Sequence, residues 1–97
     1  MNYEQFLSHC QRFGLDPNCF LIPLALFIDI DNEAHYTTQD IAHLLAKSDR
    51  QIRRWFATGK VSALKKRPWT CTGIEFKNLL FAEHQKEIII RMERFNA

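Results

Sequence analysis

Three arginines and a glutamine stand within five residues, Arg50, Gln51, Arg53 and Arg54, directly before Trp55. A guanidinium presents a planar fork of donors that fits guanine O6 and N7 or a phosphate, and a carboxamide pairs in the same two-pronged way with adenine. A second cationic run follows at once: Lys60, then Lys65, Lys66 and Arg67, closing on Pro68 and Trp69. Between Lys47 and Arg67 there are eight basic residues and one acid, Asp49, whereas residues 1–46 hold six acids against Arg12. The formal net charge of +2 therefore hides a strongly positive middle, and the natural partner of such a patch is a polyanion.

Those side chains need elements to hold them. Ser48 with Gln51 three residues on forms the pattern of a capping box, so a helix is predicted from Ser48 to Gly59, which ends it in the left-handed conformation. Its spacing turns Ile52, Trp55 and Phe56 inward and Arg50, Arg53, Arg54 and Thr58 outward. Thr37 with Asp40 caps the preceding helix, whose inner face is Ile41, Leu44 and Leu45, with small Ala42 and Ala46 permitting close approach. Lys47 leaves almost no linker, so the two helices must cross steeply. Beyond Gly59, Val61–Leu64 and Trp69–Thr72 read as two short strands with Lys65 to Pro68 as the tip, and Trp69 anchors this hairpin to the helices.

Ahead of this unit, Glu4 to Phe13 has Phe6, Cys10 and Phe13 on one helical face, and Gly14 ends it. Asp16-Pro17 can start a further turn as N-cap and first position. The apolar Cys19–Ile30 segment is predicted to be a buried helix, broken or restarted at Pro23, or a surface that a partner covers. Asp29, Asp31, Asn32 and Glu33 form a polar connector. After the hairpin, Thr72 caps a last helix running towards Phe95, on which Ile74, Phe81, Ile88 and Phe95 recur every seven residues, with Met92 four after Ile88. That stripe suits a helix packing against a second copy.

Composition bounds the remaining possibilities. With 97 residues, 46% apolar, the chain is long enough for one modest core and too short for two. No apolar run approaches the roughly 20 residues of a membrane helix, and the start lacks the positive region of a secretory signal. Cys10, Cys19 and Cys71 are odd in number with no recurring spacing, which fits a reducing, cytoplasmic setting. His9, His35, His43 and His84 are scattered and do not pair with the cysteines at zinc-site spacing, so no metal and no cofactor is expected. Neither a nucleophile triad, a glycine-rich phosphate loop nor an inward carboxylate pair is present, and the chain is not expected to be an enzyme.

Residues 36–80 resemble the MerR-like and excisionase-like winged helix-turn-helix superfamily. The resemblance rests on Thr37-Thr38, Ala42, Ser48, Arg53-Arg54-Trp55-Phe56, Gly59-Lys60-Val61 and Trp69, in that order. It implies a winged helix-turn-helix over 36–80, which with the helical spacing read on either side gives a mainly α fold: an N-terminal helical extension over 1–35 and the end of a long C-terminal helix over 81–97. It also implies that the second helix enters the major groove, with Arg50, Gln51, Arg53 and Arg54 at base edges. Thr38, Ser48, Lys60, Lys65, Lys66 and Arg67 would then hold phosphates, helped by the free N–H groups of the helix N-termini. The tip is more basic and less glycine-rich than is usual in that superfamily.

The expected function is sequence-specific binding of double-stranded DNA by a small transcriptional regulator, cytoplasmic and nucleoid-associated when bound. A homodimer is expected, joined through Ile74, Phe81, Ile88, Met92 and Phe95 or through the apolar N-terminal segment, reading inverted repeats one helical turn apart. Two alternatives stand beside it. One is an excisionase-like factor that lines up on tandem sites and bends DNA. The other is a protein-interaction adaptor that binds a partner through its apolar N-terminal segment and uses the helix-turn-helix only as a scaffold.

Overall fold

A computed structural model describes residues 1–95. The chain forms a mainly helical small domain with a three-stranded antiparallel sheet and a long C-terminal helix. The elements are α1 (Tyr3–Arg12), a 3-10 turn (Pro17–Cys19), α2 (Leu24–Asp29), β1 (His35–Thr37), α3 (Thr38–Leu45), α4 (Asp49–Ala57), β2 (Lys65–Lys66), β3 (Trp69–Thr72) and α5 (Gly73–Phe95). No helix is long and apolar enough to cross a membrane among the described residues.

Local capping sets these boundaries. Asn2 and Gln5 exchange hydrogen bonds at the start of α1, and Thr37 and Asp40 do the same for α3. Ser48 accepts from the Gln51 N–H at 3.1 Å, one half of the expected box. Thr72 accepts from the Glu75 N–H to start α5. At the far ends, α1, α3 and α4 stop in the same way. In α4, Lys60 N–H reaches back to the Trp55 carbonyl and Gly59 N–H to that of Phe56; the matching pairs are Lys47 to Ala42 with Ala46 to His43, and Leu15 to Cys10 with Gly14 to Gln11. This double bond pattern needs a left-handed residue, supplied by Gly14, Ala46 and Gly59.

A single buried cluster runs from Tyr3 to Met92, so residues 1–35 are packed into the same core as the rest. Aromatic rings bind the ends of the chain together. Phe81 of α5 lies 5.2 Å from Phe6 and 6.0 Å from Tyr3 of α1, and Tyr3 lies 5.8 Å from Phe27 of α2. The Cys19–Ile30 segment is partly inside: Phe20, Leu21, Phe27 and Ile30 are buried, and α2 starts after Pro23, while Cys19, Ala25, Ile28 and Asp29 are exposed.

The seven-residue stripe of α5 faces this core, which corrects the expected dimer seam. Phe81, Ile88 and Met92 are buried in the chain's own core, Phe81 against Tyr3 and Phe6 of α1, and Ile74 is half-buried and packed on the same cluster. Phe95 is exposed but meets Phe20 edge-on at 5.4 Å. The physical reason is that α1 and the Phe20–Leu21 stretch cover the apolar side of a helix too long for the remaining core. Asn96 and Ala97, the last residues of the expected 81–97 segment, lie outside the described residues.

The sheet order is β1-β3-β2, with His35 opposite Thr72, Thr37 opposite Thr70, Lys65 opposite Thr70 and Lys66 opposite Trp69. β1 is an addition to the predicted elements: between the polar connector and α3, Thr37 closes a strand and caps the helix at once. The first hairpin strand is also displaced from Val61–Leu64. Val61 is buried and its N–H turns to the Trp55 carbonyl, so it completes the end of α4, and pairing begins only where Leu64 N–H meets the Thr70 carbonyl. The tip shrinks to Arg67-Pro68.

Further departures are local. Phe13 points outward against His9, Leu44 is exposed on α3, and Ala46 lies in the exposed turn rather than at the helix contact.

Candidate nucleic-acid interface

The start of α4 is fixed by Ser48 below and by Ile52, Trp55 and Phe56 within, all three buried. Arg50, Gln51, Arg53 and Arg54 are all exposed on the remaining arc. The hairpin is attached to that helix by Trp69, whose ring stacks on Phe56 with centroids 5.6 Å apart. β3 is also tied to β1 and hence to the beginning of α3. Three elements, α4, the hairpin and the start of α3, thus meet in one surface.

Two hollows flank α4. One, about 520 Å³, is lined by Thr37, Thr38 and Gln39 at the start of α3, Arg53 of α4, and Lys66, Arg67, Pro68 and Trp69 of the hairpin. The other, about 510 Å³, is lined by Ser48, Arg50, Gln51, Arg54 and Trp55. Arg50, Arg53, Arg54, Lys66 and Arg67 therefore divide between these two concavities on either side of α4, while Lys60 and Lys65 line neither. A hollow of similar size along α1, about 530 Å³, is lined by residues of the chain's first turns alone, Met1 to Arg12, and brings no second element to it.

Several expected contacts take other roles. Thr38 is buried, so the exposed polar side chain at the mouth of α3 is that of Gln39, which periodicity alone does not single out. Lys60 is not free for phosphate: its ammonium pairs with Glu83 of α5 and sits over the Trp55 ring, 4.2 Å from the centroid. Trp55 attracts two cations, since Lys47 also lies 5.7 Å from its centroid. Thr58 is exposed but its hydroxyl donates to the Arg54 carbonyl at 2.9 Å. Ser48 is spent on the helix cap. Lys65, Lys66 and Arg67 are exposed as expected.

Arg53 is engaged as well. Its guanidinium bonds the Asp49 carboxylate one turn earlier at 2.7 Å. The signal was present in the sequence, since Asp and Arg four apart on a helix share a face.

The cysteines lie away from this surface in character. Cys71, in the central strand, is fully buried, and burial with the Glu75 carboxylate nearby pushes its thiol up to about 12. Cys10 is buried and its thiol is raised by burial, with Asp16 and Cys19 adding to the effect, while Cys19 is exposed. Among the described residues no group of three His, Cys, Asp or Glu side chains converges as a metal site. No protein family, curated protein or solved structure matches this chain.

Proposed function

We propose that this protein is a winged helix-turn-helix that binds double-stranded DNA in a sequence-specific way. α3 and α4 are the helix pair, α4 is the reading helix and β2–β3 is the wing. The observation that carries this reading is the exposed arc Arg50, Gln51, Arg53 and Arg54 on a helix rigidly joined to the Lys66-Arg67 tip. Arginine and glutamine at the start of a helix suit base edges in a major groove, and a cationic tip beside it suits the adjacent backbone. The roles follow: Arg50, Gln51 and Arg54 read bases, Arg53 stands between base and wing, and Lys65, Lys66, Arg67 and Gln39 contact the backbone. Small transcriptional regulation is the corresponding biological role.

One module covers on the order of 600–1,000 Å², so tight sites require copies side by side. The interior position of Phe81, Ile88 and Met92 takes these three residues out of a seam between copies, which supports the excisionase-like reading as the second one: copies arranged on tandem sites that bend the duplex. Footprinting separates the two, since a symmetric regulator protects an inverted repeat and the architectural factor protects direct repeats.

The test is duplex binding by fluorescence anisotropy across a salt series, with sites first selected from random duplexes. A selected site and a log–log salt slope of about −3 or steeper are expected from several phosphate contacts. A flat salt dependence with no sequence selected overturns the reading.

A further inference from the structure

The carboxylate that Arg53 meets is unlike the surface acids around it. Asp49 Oδ2 receives the guanidinium at 2.7 Å, while Oδ1 of the same carboxylate is sealed from solvent and accepts no hydrogen bond. Asp49 lies in the first turn of α4, one residue after the Ser48 cap, on a backbone that the cap and the buried Ile52 hold still. A carboxylate with one oxygen sunk into the protein has little freedom to turn. The arginine it holds is the more exposed partner, with 63% of its side chain exposed against 30% for the aspartate. An acid in the first turn suits the positive end of α4 and the i,i+4 pair adds little more, but neither calls for the dry, unbonded oxygen, which opposes folding.

Geometry gives it a use. A guanidinium has five N–H donors in one plane, and the bond to Asp49 occupies one Nη. The remaining edge is left for a second planar acceptor, and Arg53 lines the hollow between the start of α3 and the hairpin tip. Unrestrained, the same side chain is a flexible cation that settles on any phosphate within reach, next to Lys66 and Arg67. Held by Asp49, it can offer its fork in one direction only.

We infer that Asp49 is a positioning residue that turns Arg53 from a general phosphate contact into a reader of one guanine. The inference rests on the DNA-binding reading above. It makes Asp49 a device for selectivity at the expense of affinity: its charge weakens attraction to every duplex, and its grip stops Arg53 from moving to the backbone.

The test is Asp49→Asn, which keeps size and most of the shape while removing the charge. Binding of the selected site, of the same site with each base pair changed in turn, and of an unrelated duplex is measured over a salt series. The variant binds the unrelated duplex more tightly, and its salt slope steepens by about one unit as Arg53 takes a phosphate. At one base pair its discrimination falls at least about fivefold, the loss expected when a two-pronged contact is no longer oriented. Arg53→Ala in the wild-type background abolishes discrimination at that same base pair, and adding Asp49→Asn to it changes discrimination no further. A merely structural role for Asp49 would lower affinity for all duplexes in proportion and leave the discrimination at each position as it was, and that result overturns the inference. So does unchanged discrimination with raised affinity, which would make Asp49 a charge brake alone. Wild-type protein that binds no duplex in a salt-dependent way defeats the DNA reading itself, a failure visible before any variant is made.

Discussion

Ala46 holds at the end of α3 the left-handed backbone that Gly59 holds at the end of α4, with φ of 54° and 81°. Both residues let two consecutive N–H groups turn back onto the last carbonyls of their helix. Glycine takes this conformation without strain, whereas a Cβ is crowded there, at a typical cost of about 1–2 kcal/mol. Alanine at the tight α3–α4 turn is therefore a built-in strain next to α4.

Ala46→Gly is expected to stabilise the protein by about 0.5–1 kcal/mol, after allowing for the extra freedom of glycine in the unfolded chain. Gly59→Ala should lose about 1 kcal/mol for the same reason, because an added Cβ meets nothing within 4 Å and only the backbone objects. Urea midpoints moving in opposite directions, at unchanged slope, are the check.

Gly73 is constrained differently. A Cβ there would stand 1.8 Å from the Asp31 carbonyl oxygen and 2.9 Å from the Asn32 Cα, both backbone atoms. Gly73→Ala must push α5 away from the β1 approach, breaking the Gly73 N–H bond to the Ala34 carbonyl, and is expected to cost about 3 kcal/mol. Thermal unfolding well below the wild-type midpoint is the outcome sought; an unchanged midpoint would mean that the loop yields freely.

Trp69 holds the hairpin on Phe56, and Trp55 is buried under Lys60. Trp69→Ala should cost roughly 1–3 kcal/mol and leave the helices folded, reducing affinity for all duplexes as the tip loses its support. Trp55→Ala removes the centre of the α4 contact and should cost about 3–5 kcal/mol, enough to unfold much of a marginal domain. Far-ultraviolet circular dichroism distinguishes the two variants.

At the nucleic acid, Lys66→Ala should weaken every sequence alike and make the salt slope shallower by about one unit. Arg54→Ala should cost about 1–3 kcal/mol on the selected site and relax one base pair. Competition binding with single-base variants reads both effects in one experiment; relaxed selectivity in the lysine variant would transfer a reading role to the wing.

Thiol chemistry reports on the sheet. Exposed Cys19 should be alkylated at once, with Cys10 and Cys71 protected until the protein opens. Because the Cys71 thiol is raised from 9.0 to about 12 by burial and Glu75, the fold prefers its neutral form. Its contribution is whole below pH 9.0 and declines as pH rises towards 12, where the folded thiol ionises; Tyr3, also raised by burial, works in the same direction. Denaturation midpoints falling above pH 9, less so in Cys71→Ala if that variant folds, would bear this out.

The helices were legible because their ends are local. Thr37 with Asp40, Ser48 with the Gln51 N–H, Gly14 and Gly59 act through bonds spanning a few residues, and sequence spacing displays them. The exposed arc of α4 was readable for the same reason, since Ile52, Trp55 and Phe56 leave only one face for the arginines. What spacing does not display is which distant element arrives. The stripe Phe81, Ile88 and Met92 has the same period whether a second copy or the chain's own α1 covers it, and the phenyl ring of Phe6 decided the matter. β1 is not legible because three residues carry too little alternation, and Val61 because a β-branched residue just past the helix-ending Gly59-Lys60 resembles a strand start when it completes a helix end. Lys60 looked like a phosphate ligand until Glu83, 23 positions away, claimed it.

The clasp of Phe6 and Tyr3 on Phe81 has a practical consequence for anyone wishing to trim the molecule to residues 36–95. A shortened version beginning near Tyr36 would carry the bare greasy flank of its longest rod into water. It should clump or pair promiscuously, and such pairing would mimic a natural dimer while being an artefact of surgery.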